Sequence, residues 1–150
     1  MKIAIDRSKP LDLDFLDYEC ATHEEDVRLK EMTELDLDMI EIVHVLQGSK
    51  EVITGEEKLR RLKETKCLPL GIDAFQTLYD NRQILPKPWR QKINGLETKI
   101  FFEGTVLISK VTGDRIVPCL VYFGGAWLRN YYLLRDKFGP EKPSAVILTK

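Results

Sequence analysis

The side chains that could carry acid–base or metal chemistry are few and scattered along this chain. Only two histidines occur, His23 and His44. His44 lies in an apolar run and could act as a general base, but no nucleophile accompanies it. His23 precedes the acidic residues 24–26, yet adjacent helical residues point apart, and metal ligands need wider spacing or separate elements. We expect no catalytic residue and no metal site, and we leave the chemical role of His44 open.

Thiols and glycines do not complete a reactive motif either. Cys20, Cys67 and Cys119 are odd in number and widely spaced, which is typical of reduced thiols in a cytoplasmic protein. Cys67 follows Lys66, and a nearby cation could lower its pKa, but no base stands beside it in the sequence. The glycines form neither of the two common phosphate-binding patterns. We therefore expect no cofactor, and an enzyme would have to use scattered carboxylates.

Charge is divided unevenly along the chain. Residues 1–57 hold 16 acidic and 6 basic side chains, whereas residues 58–150 hold 8 acidic and 17 basic ones. The two halves carry net charges of −10 and +9, which sum to the overall −1. Such an asymmetry influences which partners the protein attracts and whether one half of the chain covers the charge of the other. The acidic half can neutralise the basic half within the fold or offer a surface to a basic protein.

Basic and aromatic residues are interleaved in the second half, which indicates a binding surface. Cations attract phosphate, and aromatic rings on a sheet can stack on bases. Arginine and large aromatic side chains are also frequent anchors of protein–protein interfaces. The candidate binding residues are Arg60, Arg61, Arg82, Lys87, Trp89, Arg90, Trp127, Arg129 and Tyr131.

Two short helices are predicted in the middle of the chain. Thr54 and Glu57 form a capping box that predicts a helix over residues 54–64. An apolar stripe predicts a second helix over residues 72–81. Pro86 ends the helical region, because proline restricts its own backbone and that of the residue before it.

The elements before these helices are less regular. Residues 1–7 predict a short strand, and the β-branched run 39–46 predicts another. Residues 22–26 combine a threonine cap with acidic residues, which favours the start of a helix. Residues 11–15 alternate leucine or phenylalanine with aspartate, which fits either a half-buried strand or an exposed acidic turn.

The last third predicts an antiparallel meander. Gly124-Gly125 can form a two-residue hairpin turn, and Gly104 can mark a bulge. Pro118 lacks a ladder donor and fits best at a bulge or an edge. The predicted strands cover residues 99–108, 115–123 and 126–134, and a short closing strand covers residues 144–148.

These elements predict a single α+β domain. We expect a small antiparallel sheet whose C-terminal three-stranded meander packs against the two short helices. Residues 1–38 form an acidic N-terminal segment, and residues 39–150 form the compact core. No apolar run approaches the roughly 20 residues that span a bilayer, and the N-terminus lacks the apolar core of a signal peptide. We therefore expect a cytoplasmic protein without membrane contact.

A series of short motifs occurs in a fixed order between residues 40 and 148. The motifs are Gly55-Glu56-Glu57-Lys58-Leu59-Arg60, the helix from Ile72 to Asn81, Leu85-Pro86-Lys87-Pro88-Trp89-Arg90, Phe101-Phe102-Glu103-Gly104-Thr105, Cys119-Leu120-Val121-Tyr122-Phe123 with Trp127, and Pro143-Ser144-Ala145-Val146. This order is similar to that of a family of small uncharacterised bacterial proteins. Members carry more tryptophan near the end, where this chain has Tyr131, Tyr132 and Phe138. The family has no assigned activity, so the resemblance implies a fold rather than a function.

Three functions follow from these observations as hypotheses. The first is a non-enzymatic protein-interaction module, which binds a protein partner or a second copy of itself. The alternative is a nucleic-acid-binding protein that uses the basic stretch 58–99 with aromatic residues of the sheet. The second alternative is an enzyme whose site has no recognisable motif.

Overall fold

A computed structural model describes residues 1–149 as a mixed α and β fold. The two α-helices are α1, Gly55–Lys63, and α2, Ile72–Asp80. Short 3₁₀ turns cover Val27–Glu31, Leu37–Met39, Arg82–Ile84 and Lys87–Arg90. The strands are β1 Lys2–Ala4, β2 Cys20–Glu25, β3 Glu34–Asp36, β4 Ile40–Val43, β5 Ile53–Thr54, β6 Cys67–Pro69, β7 Lys99–Phe101, β8 Thr105–Ser109, β9 Arg115–Phe123, β10 Ala126–Leu133, β11 Lys137–Phe138 and β12 Ser144–Leu148.

The main sheet is larger than the sequence predicts. Within residues 1–149 it has eight strands, ordered β2-β8-β9-β7-β12-β4, with β10 also paired to β9 and β6 to β12. The sheet is mixed, because β12 runs parallel to β7 where Ser144 lies beside Phe101. The closing strand is confirmed and lies inside the sheet, where it pairs with β4 and β6. The predicted combination of helices and a sheet is therefore confirmed, whereas the predicted small antiparallel sheet differs in detail, because the main sheet is larger and contains one parallel pair.

The C-terminal meander has the predicted hairpin, whereas a turn that contains Gly104 breaks its first strand where a bulge is predicted. Gly124 and Gly125 have φ angles of 62° and 83°, as a two-residue hairpin turn requires. The first predicted strand is split into β7 and β8, and both pieces pair with β9. Pro118 faces the interruption between them, since its carbonyl accepts a hydrogen bond from the N–H of Phe102 at 3.1 Å. The missing N–H of the proline therefore removes no regular ladder bond.

The two helices cover opposite faces of this meander. Leu59 of α1 packs with Val117 and Cys119 of β9, whereas Phe75 of α2 packs in a second cluster with Leu120. Neighbouring residues of a strand point to opposite faces, so the sheet is buried on both sides here. Both helices are confirmed, and the Thr54 hydroxyl accepts a hydrogen bond from the N–H of Glu57 at 3.2 Å, which caps α1.

The predicted helix start at residues 22–26 is wrong. Residues 22–25 belong to β2, which pairs with β8, so ladder bonds to a distant strand outweigh the local capping pattern. Asp26 caps only the short 3₁₀ turn Val27–Glu31, accepting a hydrogen bond from the N–H of Arg28 at 3.0 Å. Residues 11–15 form an irregular acidic turn, the second of the two predicted possibilities.

The acidic N-terminus is packed against the sheet and helices. β1 pairs with β3, and the N–H of Ile5 donates to the carbonyl of Thr33. Residues 6–18, called the strap here, follow before β2 begins. Within residues 1–149, no backbone-to-backbone hydrogen bond joins the strap to the rest of the protein. Over the same residues, no helix has the length and apolar content to cross a membrane.

Candidate functional site

The two predicted binding arginines of α1 are engaged in ion pairs. The Arg60 guanidinium lies 2.5 Å from the Glu57 carboxylate and 2.6 Å from that of Glu64. Arg61 lies 2.6 Å from the Glu51 carboxylate and also contacts Glu57. These two guanidinium groups lower the pKa of Glu57 to about 2. The positive charge of α1 is therefore balanced within the molecule, and its two arginines lie apart from the other candidate residues.

A second basic stretch keeps its charge uncompensated. Residues 82–92, called the basic segment here, contain four cations, and the chain has no acidic residue between Asp80 and Glu97. None of the four side chains forms an ion pair with any carboxylate in residues 1–149. The segment follows α2 as two 3₁₀ turns with Pro86 between them, so its backbone is turned rather than extended. Its cations are Arg82, Lys87, Arg90 and Lys92.

Three arginines of this region lie over tyrosine rings. Arg82 and Arg129 lie 4.4 Å and 4.5 Å from the centre of the Tyr79 ring, so both guanidinium groups contact the same ring. Arg90 lies 4.6 Å from the centre of the Tyr122 ring. Such contacts orient a guanidinium while leaving its N–H groups available to an acceptor. The α2 helix and strands β9 and β10 thus bring together residues that the sequence places far apart.

The two predicted tryptophans lie beneath this surface. Trp89 is 8% exposed and Trp127 is 5% exposed, and both belong to the core cluster that contains Phe75. The ring of Trp127 packs edge-on against Tyr122 at 5.4 Å. Its indole N–H is buried and has no hydrogen-bond partner in residues 1–149. The tryptophans support the surface from inside, and their binding role stays a prediction.

The strap lies across the part of the surface that β10 contributes. The carboxylate of Asp12 is 3.2 Å from Arg129, which also donates a hydrogen bond to the Asp12 carbonyl at 3.1 Å. The Tyr131 hydroxyl donates a hydrogen bond to the Asp17 carboxylate. This bond raises the pKa of Tyr131 to about 12. The acidic segment thus covers Arg129 and Tyr131 and leaves the basic segment uncovered.

Apolar contacts also hold the strap, on the side of α2. The Phe15 ring packs 5.3 Å from the ring of buried Phe75, and Arg129 lies over Phe15 at 5.2 Å. At the other end, Arg7 lies 2.9 Å from the carboxylate of Asp73 at the start of α2. The strap therefore occupies the groove between α2 and β10.

Sequence reasoning missed a buried charged network on the opposite face. The Lys58 ammonium lies 2.7 Å from the Glu103 carboxylate, and their side chains are 2% and 0% exposed. The other Glu103 oxygen accepts a hydrogen bond from the Ser144 hydroxyl. The rings of Phe101 and Phe138 lie 4.9 Å and 5.2 Å from the ammonium. Burial lowers the pKa of Lys58, and the facing carboxylate opposes that shift.

Two signals in the sequence could have revealed this pair. Lys58 stands on the apolar stripe of α1, between Gly55 and Leu62, where a charge is out of place. Glu103 interrupts the apolar run 100–108, which otherwise predicts a buried strand. Charges at positions that patterning assigns to the core are either paired or functional.

A cleft of about 460 Å³ opens above Glu103, between β2, α1 and β6. Residues 24–26 line its rim, where Glu24 pairs with Lys63 and with Arg115. Cys67 also lines the cleft, but burial raises the pKa of its thiol, so the predicted effect of neighbouring lysines is not the dominant one. The cleft therefore brings a buried carboxylate near a protonated thiol.

The remaining chemical candidates lie apart from one another. His44 is exposed and lines a separate groove of about 360 Å³ beside Trp89. His23 is exposed on β2. In residues 1–149, no group of three His, Cys, Asp or Glu side chains is placed to hold a metal ion.

Comparison of the chain with protein-family models, with curated proteins and with solved structures gives no significant match. The resemblance over residues 40–148 to a family of small bacterial proteins stays a prediction. The function is therefore inferred from the residues of this chain alone.

Proposed function

We propose that this protein is a non-enzymatic interaction module that binds an acidic protein partner. The contact surface consists of the basic segment and Arg129. The observation that supports it is the set of three arginines held over Tyr79 and Tyr122. Two of them belong to the four cations of the basic segment, which have no carboxylate partner within residues 1–149. Arginine and tyrosine are the residue types that dominate protein-interface energetics.

The same residues favour a protein partner over a nucleic acid. Single-strand binders stack bases on exposed rings, but here arginines already lie over Tyr79 and Tyr122. The strap places Asp12 and Asp17 at the edge of the surface, and these carboxylates repel a phosphate backbone. Asp12 and Asp17 also repel the carboxylates of a protein, but a protein partner can space its carboxylates so that they meet the arginines and avoid these two residues. Nucleic-acid binding through the basic segment is kept as the alternative outcome of the test.

The test compares two labelled polyanions by fluorescence anisotropy. A 12-residue peptide of alternating glutamate and serine, called the glutamate peptide here, and a single-stranded DNA of similar length are each titrated with the protein at about 50 mM salt, where charged contacts are screened less than at physiological salt. We expect the peptide to bind more tightly than the DNA. The double variant R82A/R90A should bind the peptide at least tenfold more weakly, because two desolvated arginine contacts are lost.

The matched control is R60A, which removes an arginine from α1. Arg60 is engaged with Glu57 and Glu64, so we expect its removal to change peptide affinity less than twofold. Tighter binding of DNA, lost in R82A/R90A, would support the nucleic-acid alternative instead. If neither polyanion binds, or if R60A weakens binding as much as R82A/R90A does, the proposed surface is wrong. Light scattering of the free protein tests self-association separately.

A further inference from the structure

The geometry points to a peptide-binding groove between α2 and β10, which the strap occupies in the free protein. An acidic, aromatic segment of a partner protein takes the place of strap residues 11–17 in the complex. This inference rests on the proposed function and extends it, because it names the partner's chemistry and the step that exposes Arg129.

The strap is built to leave the groove without disturbing the fold. Its ends are fixed by β1 and β2, whereas within residues 1–149 residues 6–18 make no backbone-to-backbone bond to the rest of the protein. Side-chain contacts hold it in place: Leu13 and Phe15 pack against the core cluster, and Asp12 and Asp17 bind residues of β10. Because no ladder bond has to break, the strap can detach between two paired anchors at the cost of these side-chain contacts.

The groove has the features of a site for a peptide. Its floor is the fully buried ring of Phe75, and Tyr79 and Arg129 stand at its wall. Arg129 is only 15% exposed while the strap is in place. Removing the strap would uncover an aromatic floor beside a cation, which is a combination that a protein surface rarely leaves bare.

The strap itself shows which chemistry the groove accepts. Arg129 binds both the side chain and the main-chain carbonyl of Asp12, and the carbonyl contact is one that any peptide can supply. Phe15 fills the floor, and Asp17 accepts the Tyr131 hydroxyl bond. The recognised pattern is thus a carboxylate, an aromatic ring three residues later and a second carboxylate two residues beyond it.

The uncovered basic segment provides the site of the partner's first contact with the protein. Arg82 and Arg129 contact the same Tyr79 ring, so an acidic chain bound to Arg82 is separated by one side chain from the arginine that holds Asp12. A tethered competitor acts at an effective concentration on the order of millimolar. Weakening the strap therefore raises the apparent affinity for a partner by raising the fraction of open groove.

The experiment uses a fluorescent peptide that repeats residues 9–19 of the chain as the probe. The full-length protein is compared with the isosteric double variant D12N/D17N, which removes the two carboxylate contacts of the strap and keeps Phe15 in place. We expect the variant to bind the peptide at least fivefold more tightly than the unmodified protein. Adding R129A to the variant should abolish the gain. The matched control is D14N, because Asp14 forms no ion pair in residues 1–149, and it should behave like the unmodified protein.

The outcomes separate this inference from the proposed function. If the peptide binds D12N/D17N no better than the unmodified protein, or if R129A has no effect, the inference of a peptide-binding groove is wrong. Continued binding of the glutamate peptide through Arg82 and Arg90 would leave the proposed function intact in that case. A concentration-dependent dimer of D12N/D17N, abolished by R129A, would assign the groove to the strap of a second copy. It would overturn the inference that a different protein occupies the groove. Should D12N/D17N lose native near-ultraviolet circular dichroism, D17N alone serves the same comparison.

Discussion

Removing the buried ammonium of Lys58 is expected to destabilise the protein more than a change at any exposed charge. The variant K58M keeps the aliphatic stem between Phe101 and Phe138 but leaves Glu103 without its cation. Both partners are almost fully buried and lie 2.7 Å apart. Stranding one member of a buried ion pair costs about 3–5 kcal/mol in the free energy of unfolding. Urea denaturation at pH 7, followed by the fluorescence of the two buried tryptophans, measures this loss.

Two further variants separate the charge effect from packing. In K58M/E103Q the buried carboxylate is replaced by an amide that can still accept the Ser144 hydroxyl bond. We expect this double variant to regain about 1.5 kcal/mol or more of the loss, since a neutral buried amide is less costly than an unpaired charge. The control K63M removes an exposed lysine from the same helix, and surface pairs of this kind are worth about 0–1 kcal/mol.

The reasoning would be refuted if K58M costs less than about 1 kcal/mol, or if it is as stable as K63M. It would also fail if K58M/E103Q is less stable than K58M, because packing and not charge would then dominate.

Three other predictions concern single residues. Iodoacetamide at pH 8 should label Cys20 in the native protein and spare Cys119, because complete burial raises the pKa of the Cys119 thiol to about 12. Peptide mass spectrometry after a short reaction measures the labelling of each cysteine, and early labelling of Cys119 would contradict the prediction. In D17N the pKa of Tyr131 should fall from about 12 towards 10.0 in an ultraviolet titration. The stability that this hydrogen bond contributes is present below pH 10 and is lost as the pH rises towards 12, since the folded state holds the phenol proton more tightly. G104A should lower the denaturation midpoint, because a Cβ there would lie 2.2 Å from the Pro69 carbonyl oxygen, whereas G48A, with open space around it, should not.

Local patterns were sufficient for the elements that depend on neighbouring residues. The bond between Thr54 and Glu57 that caps α1 spans three positions, and the Gly124-Gly125 turn needs only its own two φ angles. The first strand of the meander, by contrast, is broken at residues 102–104, where the chain contacts the end of β6 and the N–H of Gly104 donates to the carbonyl of Leu70. Its interruption depends on a contact with a segment more than 30 positions away, so only the bulge signal of Gly104 was visible in advance.

The contacts of the candidate site also divide into local ones, which the sequence displays, and long-range ones, which it does not. Arg60 pairs with residues three and four positions away on its own helix, a spacing that the sequence displays. Arg129 meets Asp12 across 117 positions, and Lys58 meets Glu103 across 45. Sequence patterning could have marked both Lys58 and Glu103 as charges in apolar surroundings, but it carries no information on which distant charge compensates each of them.

The sequence alone determined the two helices, the hairpin, the mixed α and β class and the presence of opposite charge in the two halves. Those features follow from capping, periodicity and composition, which act over a few residues. Only the tertiary structure decided where β2 pairs, that the tryptophans lie beneath the surface, and that the acidic strap covers Arg129 while the basic segment stays open. These depend on packing between remote segments, because burial and the strength of an ion pair are set by the three-dimensional surroundings of a side chain.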